Sequence, residues 1–326
     1  MKILVIDVAA QVGGAVTILE QFIEEFKKDQ HNRYYVMLGV LNYEDSENVK
    51  FINCSWVKRS MIHRMYFDEV YIKRVIKEIK PDRILSLQNK TVAVKKIHQT
   101  VYFHNVLPIS DKRFSLNESW KLWFYQNVIG TIVKWSLKRA DTVIVQAKWI
   151  RKQLANKWGI DEQIITVKPP VQSVERIEPI IPDIQGFVLF YPANTSIYKN
   201  HRNLLLACEE LWRECGLDFT LVLTGTLDRF SQQCQDIIKK NMDHINLVGR
   251  LDKSQMQGYY KISTLVFPSY LETIGLPLIE AKENGTQILA SDCEYAHETI
   301  GKYNNVLFFD PYNIKDIKET INKVLI

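Results

Sequence analysis

The chain has 326 residues, 46% of them apolar and 24% charged, proportions of an ordinary soluble protein of about two domains with a sizeable core. No apolar run reaches the roughly 18 residues of a membrane-spanning helix, and five cysteines with no C-x-x-C pair argue against a disulfide scaffold and for a reducing compartment. The net charge of +5 divides unevenly: residues 1–180 carry 28 Lys and Arg against 19 Asp and Glu, and residues 181–326 carry 14 against 18, as in two modules with different partners.

The start, Met1 to Asp7, is too short and too soon interrupted by charge for a signal peptide, so a cytoplasmic protein is expected. Ile3 to Val8 reads as a buried strand of the parallel type, and after Gly13-Gly14 an amphipathic helix runs to about Lys28. Glycines between a first strand and a first helix present helix-terminal amides to an anion. The dinucleotide fingerprint G-x-G-x-x-G is absent, and no clear acidic residue ends the second strand, residues 34–41. Further strands are predicted at residues 82–87, 100–103 and 141–145. Their alternation with helical stretches implies a doubly wound parallel sheet, whose ligands bind at the carboxyl ends of strands. His104 directly follows one of those strands, so its imidazole lies at that rim, either contacting a ligand or capping its own loop.

Two stretches of this half mix cations with large apolar side chains. Residues 119–135 place Trp120, Trp123, Phe124, Tyr125 and Trp135 at helical spacing beside Lys121, Lys134, Lys138 and Arg139; residues 58–67 do the same with Lys58, Arg59 and Arg64 among Met61, Ile62, Met65, Tyr66 and Phe67. Such surfaces suit a membrane interface with anionic lipid. The longer stretch reads first as a core helix, and the shorter is the better membrane candidate. The bases are spread over several elements without a recognised motif, so nucleic acid is not an expected partner.

Proline-rich residues from Lys168 to Pro182 read as a stiffened linker. The expected organisation is a first domain over residues 1–167, a linker over 168–186 and a second domain over 187–326. The second domain opens with the strand Phe187 to Tyr191. Lys199 then stands just before a helix, where it can hold a phosphate as a point charge or remain solvated. Strands follow at residues 219–224 and 245–251, and Arg250 in the latter is a surface residue or a ligand contact.

The densest signal lies between Ser269 and Ala281. Thr264 to Pro268 is a short apolar strand ended by proline, Pro277 occupies a first helical position, and Asn284-Gly285 stops the helix. Amides of Ile274, Gly275 and Leu276 would face outward at the positive end of the helix dipole, and Gly275, lacking a Cβ, admits a phosphate closely. Carboxylates would not be placed there to meet phosphate. Glu272 in the loop and Glu280 in the helix therefore suit sugar or ribose hydroxyls to either side, or else are simply solvated.

Two glutamates eight residues apart around Gly-Leu-Pro resemble the E-x7-E signature of retaining glycosyltransferases of the GT-B fold, family 4. The resemblance extends over essentially the whole chain, weakly over residues 42–80. It implies an α/β, GT-B architecture, two Rossmann-like domains facing each other across a cleft, with the acceptor on the first and the nucleotide sugar on the second. It implies that Glu272 contacts the donor sugar, that the Thr273, Ile274, Gly275 and Leu276 segment holds the diphosphate, and that Glu280 binds the ribose. By the same resemblance Gly13 and Gly14 face the donor phosphates, Arg250 stacks on the base, and His104 contacts the transferred sugar near the acceptor. The family's phosphate clamp pairs an arginine with a lysine. Lys199 matches the lysine, whereas Ala193-Asn194 occupies the arginine's place, leaving Arg202 or Arg250 to complete the clamp.

The expected activity is retaining transfer from a nucleotide sugar, UDP-sugar favoured, to a saccharide or lipid-linked acceptor in bacterial capsule or O-antigen synthesis. No cofactor is expected, and no D-x-D motif is present to carry a metal. The basic first domain would associate with the inner face of the plasma membrane. Competing expectations are a UDP-sugar epimerase of the same fold, a glycosidase using Glu272 and Glu280 as its acid/base pair, and a non-catalytic sugar-nucleotide-binding protein.

Overall fold

A computed structural model describes residues 1–10, 14–39, 43–169 and 177–325. The chain divides into two compact units, Met1–Gln172 and Ser173–Ile326. In the first, seven strands form one parallel sheet: β1 (Lys2–Asp7), β2 (Arg33–Leu38), β3 (Val49–Asn53), β4 (Arg83–Ser86), β5 (His98–Phe103), β6 (Thr142–Val145) and β7 (Ile165–Val167), ordered 3-2-1-4-5-6-7. The second holds six: β8 (Phe187–Tyr191), β9 (Phe219–Leu223), β10 (Ile245–Leu247), β11 (Thr264–Phe267), β12 (Ile288–Ser291) and β13 (Val306–Phe309), ordered 10-9-8-11-12-13 and again parallel. In each sheet the winding reverses beside the first strand, between β1 and β4 and between β8 and β11. That reversal sends the two following loops in opposite directions and opens a crevice at the carboxyl ends.

Strand β1 shows why the sequence folds this way. Leu4 and Ile6, with Val8 just beyond, pack on one face of the sheet against Phe67, Ile72, Val75 and Ile76. Val5 packs on the other face with Leu19, Phe22, Ile23 and Phe26 of the helix Gly14–Lys28. A strand covered on both faces needs apolar residues at nearly every position, and burying each such side chain contributes roughly 1.5–3 kcal/mol. The two strands absent from the sequence reading, β3 and β7, are the sheet's edges. β3 carries exposed Lys50 between Val49 and Phe51, and β7 has three residues, too few for a period to register.

The helix Leu116–Phe124 continues through a wide i→i+5 segment, Tyr125–Ile129, into Gly130–Leu137. One side is core. Gln126 is buried, donating to the carbonyls of Leu107 (3.1 Å) and Lys112 (2.8 Å) while its own oxygen accepts from the Phe114 amide (2.9 Å). The other side exposes Trp120, Phe124, Ile132 and Trp135, so the core-helix expectation describes half of this element. The shorter basic stretch forms the helix Met61–Tyr66, which buries none of its residues. Among the described residues no helix is long and apolar enough to cross a membrane.

Within the second unit, residues 178–181 lie along the helix Lys253–Ile262. The Ile180 amide donates to the Ser254 carbonyl at 3.2 Å, and the Ser254 hydroxyl donates to the carbonyl of Glu178. Gly258 permits this approach, since a Cβ there would stand 1.8 Å from the Ile180 oxygen. Gly258→Ala should therefore destabilise the protein by about 1–3 kcal/mol through overpacking, read as a lower unfolding midpoint; an unchanged midpoint would show that the contact is not made.

Candidate active site

The crevice of the six-stranded sheet is framed by the loops after β8 and β11. Beyond β8 the chain makes a short turn, Ile197–Lys199, and Asn200 adopts a left-handed conformation (φ +59°) before the helix His201–Glu214. The Asn200 side-chain Nδ2 donates to the carbonyls of Pro268 (3.1 Å) and Pro311 (2.8 Å), and that of Asn203 to the Pro311 carbonyl (3.0 Å) and the Tyr270 hydroxyl (3.0 Å). Tyr191, at the end of β8, gives its proton to the Lys199 carbonyl (2.7 Å), which leaves its oxygen to accept from Ser269 (2.8 Å). Tyr295 donates to the Ser269 carbonyl at 2.6 Å. These bonds tie two loops, far apart in sequence, into one platform.

On that platform the Lys199 ammonium and the Glu272 carboxylate form an ion pair, with side chains only 12% and 14% exposed. So sheltered a pair contributes little compared with apolar groups of the same shape, yet removing one partner costs about 3–5 kcal/mol. Lys199 was expected to serve phosphate; the structure pairs it with the glutamate expected to serve the sugar.

Three residues past Glu272, Gly275 takes φ +75° and opens the helix Leu276–Glu283, with Pro277 in its first turn. A Cβ at Gly275 would strain the left-handed backbone and press to 3.1 Å from Leu278 Cδ1. The Thr299 hydroxyl holds the loop by donating to the Ile274 carbonyl. Thr273 and Ile274 are half-buried and Leu276 is exposed. Amides at a helix start have no intrahelical acceptor and carry the positive end of its dipole. Glu280 is half-buried on this helix, and Tyr260 donates to its Oε2 at 2.7 Å. Burial raises the Glu280 carboxyl above its ordinary range and the Glu283 charge adds to that, while the Tyr260 bond and Lys253 oppose.

The remaining predicted residues distribute as follows. Arg250 is exposed just after Gly249, whose carbonyl accepts from the Gly225 amide at 2.9 Å. Arg202 is exposed near Cys234, where its charge opposes the burial that raises that thiol. In the first unit, Gly14 begins the helix Gly14–Lys28, and Gly13 lies outside the described residues. His104 is half-buried past β5, and its amide donates to Asn89 Oδ1 at 2.8 Å. Burial pushes its imidazole down to about 4, against a weaker opposing bond with the Tyr102 backbone, so the ring is neutral at pH 7. The structure thus joins Lys199, Glu272, Gly275 and Glu280 in one region of the second unit.

Sequence reading missed the residues that hold these groups. Tyr191 meets Ser269 across 78 positions and Tyr260 meets Glu280 across 20, separations that no local spacing reveals. Asn200 did carry a signal, because asparagine tolerates left-handed backbone better than most residues. Asp7 was also passed over. It ends β1 buried, accepts from the Ala10 amide at 3.2 Å and is raised to about 6 by burial. Lys58, taken for a membrane cation, donates instead to the Ala10 carbonyl at 3.3 Å.

The family model described as Glycosyltransferase Family 4 matches residues 12–174, and that described as Glycosyl transferases group 1 matches residues 177–326. The N,N'-diacetylbacillosaminyl-diphospho-undecaprenol alpha-1,3-N-acetylgalactosaminyltransferase of Campylobacter jejuni is 25% identical over 272 residues, covering 78% of this chain and 70% of the relative. The chain spans between 54% and 70% of the length of the curated relatives it matches. Among solved structures, sucrose-phosphate synthase of Thermosynechococcus elongatus superposes with a TM-score of 0.73 at 18% identity, over 99% of this chain and 89% of the other. Anabaena Alr3699/HepE in complex with UDP-glucose superposes with a TM-score of 0.68 at 16% identity, over 100% and 90%. The two parallel-sheet units are those of the GT-B fold.

A buried carboxyl with a raised pKa favours the folded state while it is protonated, and that contribution is lost as pH rises through the folded-state value. Glu280→Gln should accordingly unfold with the wild type at pH 4 and several degrees above it at pH 7, read by thermal melts; a constant difference at both pH values would contradict the assignment.

Proposed function

Because this chain belongs to the group 1, family 4 glycosyltransferases, we propose that it moves a sugar from a nucleotide sugar, a UDP-sugar foremost, to a saccharide acceptor with retention of configuration. The observation that carries this reading is the Lys199–Glu272 pair at the β8/β11 crevice, beside a glycine-opened helix bearing Glu280. A diphosphate at the helix mouth would draw the Lys199 ammonium to itself. That exchange frees Glu272 to accept hydroxyls of the sugar, while Glu280, aimed by Tyr260, takes those of the ribose.

In the reaction, the acceptor oxygen bonds to the anomeric carbon on the face from which the carbon–oxygen bond to the diphosphate breaks. The acceptor's proton passes to the leaving phosphate oxygen. The protein orients the partners and stabilises charge on the leaving group through Lys199 and the amides near Gly275. Neutral His104 can exchange a hydrogen bond with a sugar hydroxyl without bringing a charge to the reacting centre.

The UDP-glucose complex of the HepE structure supports a UDP-sugar donor. The name of the Campylobacter relative, with its diphospho-undecaprenol, supports a lipid-linked acceptor in surface polysaccharide synthesis. The absence of D-x-D from the sequence supports turnover without a metal.

A thermal-shift screen of UDP-, GDP- and dTDP-sugars should show stabilisation by at least one, weakened roughly tenfold or more in apparent affinity by Glu280→Ala through loss of charged hydrogen bonds. UDP release should require an acceptor, survive EDTA and yield a retained linkage by NMR. Epimerised sugar formed without acceptor would favour the epimerase, and no stabilisation by any nucleotide sugar would overturn the assignment.

A further inference from the structure

The first unit carries an apolar face that its own core leaves uncovered. Along the helical stretch from Leu116 to Leu137, the residues Leu116, Trp120, Phe124, Val128, Ile132 and Trp135 are all exposed, the two tryptophans by 62% each. Their spacing is four residues, closing with three. On a regular helix a four-residue step drifts by about 40° around the axis, which would wind such a stripe away from any flat partner. The extended backbone at Ser119 (φ −168°, ψ 106°) kinks the stretch and sets Leu116 apart; beyond it, the wide turn at Tyr125–Ile129 holds more residues per turn and takes back part of the drift, so the five side chains from Trp120 to Trp135 stay closer to one line. The helix Met61–Tyr66 adds Met61 at 72%, Ile62 at 77% and Met65 at 63% exposed.

Both elements border the loop after β4. Lys90 in that loop reaches Asp68, in the turn continuing the shorter helix, at 2.6 Å, and the Thr91 amide donates to Ser136 of the longer helix at 2.6 Å. The surrounding sequence is basic as well. Residues 51–139 hold 17 Lys and Arg against 6 Asp and Glu. The Lys121 ammonium lies 6.0 Å from the Trp120 ring and that of Lys138 lies 6.0 Å from the Trp135 ring. Arg64 and Lys90 share a single carboxylate oxygen of Asp68, at 3.1 and 2.6 Å, which leaves positive charge over at the rim.

An exposed apolar face of this size marks an interaction surface. Lysines flank the tryptophans at both ends, the pattern of side chains lying at headgroup level beside anionic lipid. We propose that this face seats in the headgroup region of an anionic phospholipid bilayer, with Trp120 and Trp135 at the interface and the intervening apolar side chains below it. The inference deepens the lipid-linked acceptor named above and rests on that reading for its purpose, since it brings the acceptor domain to the surface on which such an acceptor is borne. Bilayer binding itself needs no turnover.

The full chain is sedimented with vesicles of phosphatidylcholine alone and of three parts phosphatidylcholine to one part phosphatidylglycerol. Binding to the anionic vesicles should be roughly tenfold tighter or more and weaken with added salt. The Trp120→Ser/Ile132→Ser/Trp135→Ser variant should lose roughly tenfold or more while melting as the wild type and keeping its UDP-glucose shift. Lys121→Glu/Lys138→Glu should abolish the anionic preference and serves should the first variant misfold. Equal binding to both vesicle types, unaltered binding by the variants, or a wild-type dimer that the serine variant splits on a sizing column would overturn the proposal. Vesicle binding without any nucleotide-sugar shift would uphold it while removing the donor reading.

Discussion

A buried charge must be answered by a nearby group, and in the second unit the answer joins two loops that the sheet's winding brings side by side. Lys199 follows β8 and Glu272 follows β11, strands neighbouring in the sheet yet separated by three helices and two other strands in sequence. Each charge alone would be disfavoured at such low exposure; together they neutralise one another. Tyr191, Ser269 and Asn200 then fix the backbone beneath the pair. The charge of Glu272, added to burial, keeps the Tyr191 phenol protonated, so the platform stays a hydrogen-bond donor throughout the physiological range. The arrangement is rigid below and exchangeable above, which suits a site where a phosphate displaces one partner and a hydroxyl engages the other.

The first unit applies the same chain topology to different ends. Its rim offers a neutral imidazole at His104 and a carboxyl at Asp7 whose charge is discouraged by burial, and its excess cations lie beside exposed aromatic side chains. The uneven charge of the sequence thus has a structural address. The second unit pairs Lys199 with Glu272 in its crevice, whereas the first sets Lys121 and Lys138 beside exposed tryptophans.

Much of the fold was legible because parallel sheets covered on both faces force continuous apolar strands, and those runs stand out at β1, β8 and β11. Edge strands β3 and β7 escaped, one broken by Lys50 and the other too short. In the site, Glu272, Gly275 and Glu280 could be read from one stretch because a strand, a loop and a helix start follow in order there. Their partners could not, since Lys199–Glu272 and Tyr260–Glu280 are contacts made by topology. Lys199 was singled out for its position before a helix, and only the structure shows that its charge is already answered. The exposed aromatic stripe was half legible: its helical period was plain, but a period says that a face exists, and burial alone says which way it looks.

The account stands on the coupling of Lys199 with Glu272, and a double-mutant cycle measures it most directly. Unfolding free energy and UDP-glucose affinity are determined for Lys199→Met, Glu272→Gln and the double variant. The account predicts that each single change destabilises the protein more than the two together, so that the coupling exceeds the larger single effect of about 3–5 kcal/mol, and that each weakens UDP-glucose binding. Additive stability effects with undiminished UDP-glucose affinity would contradict it.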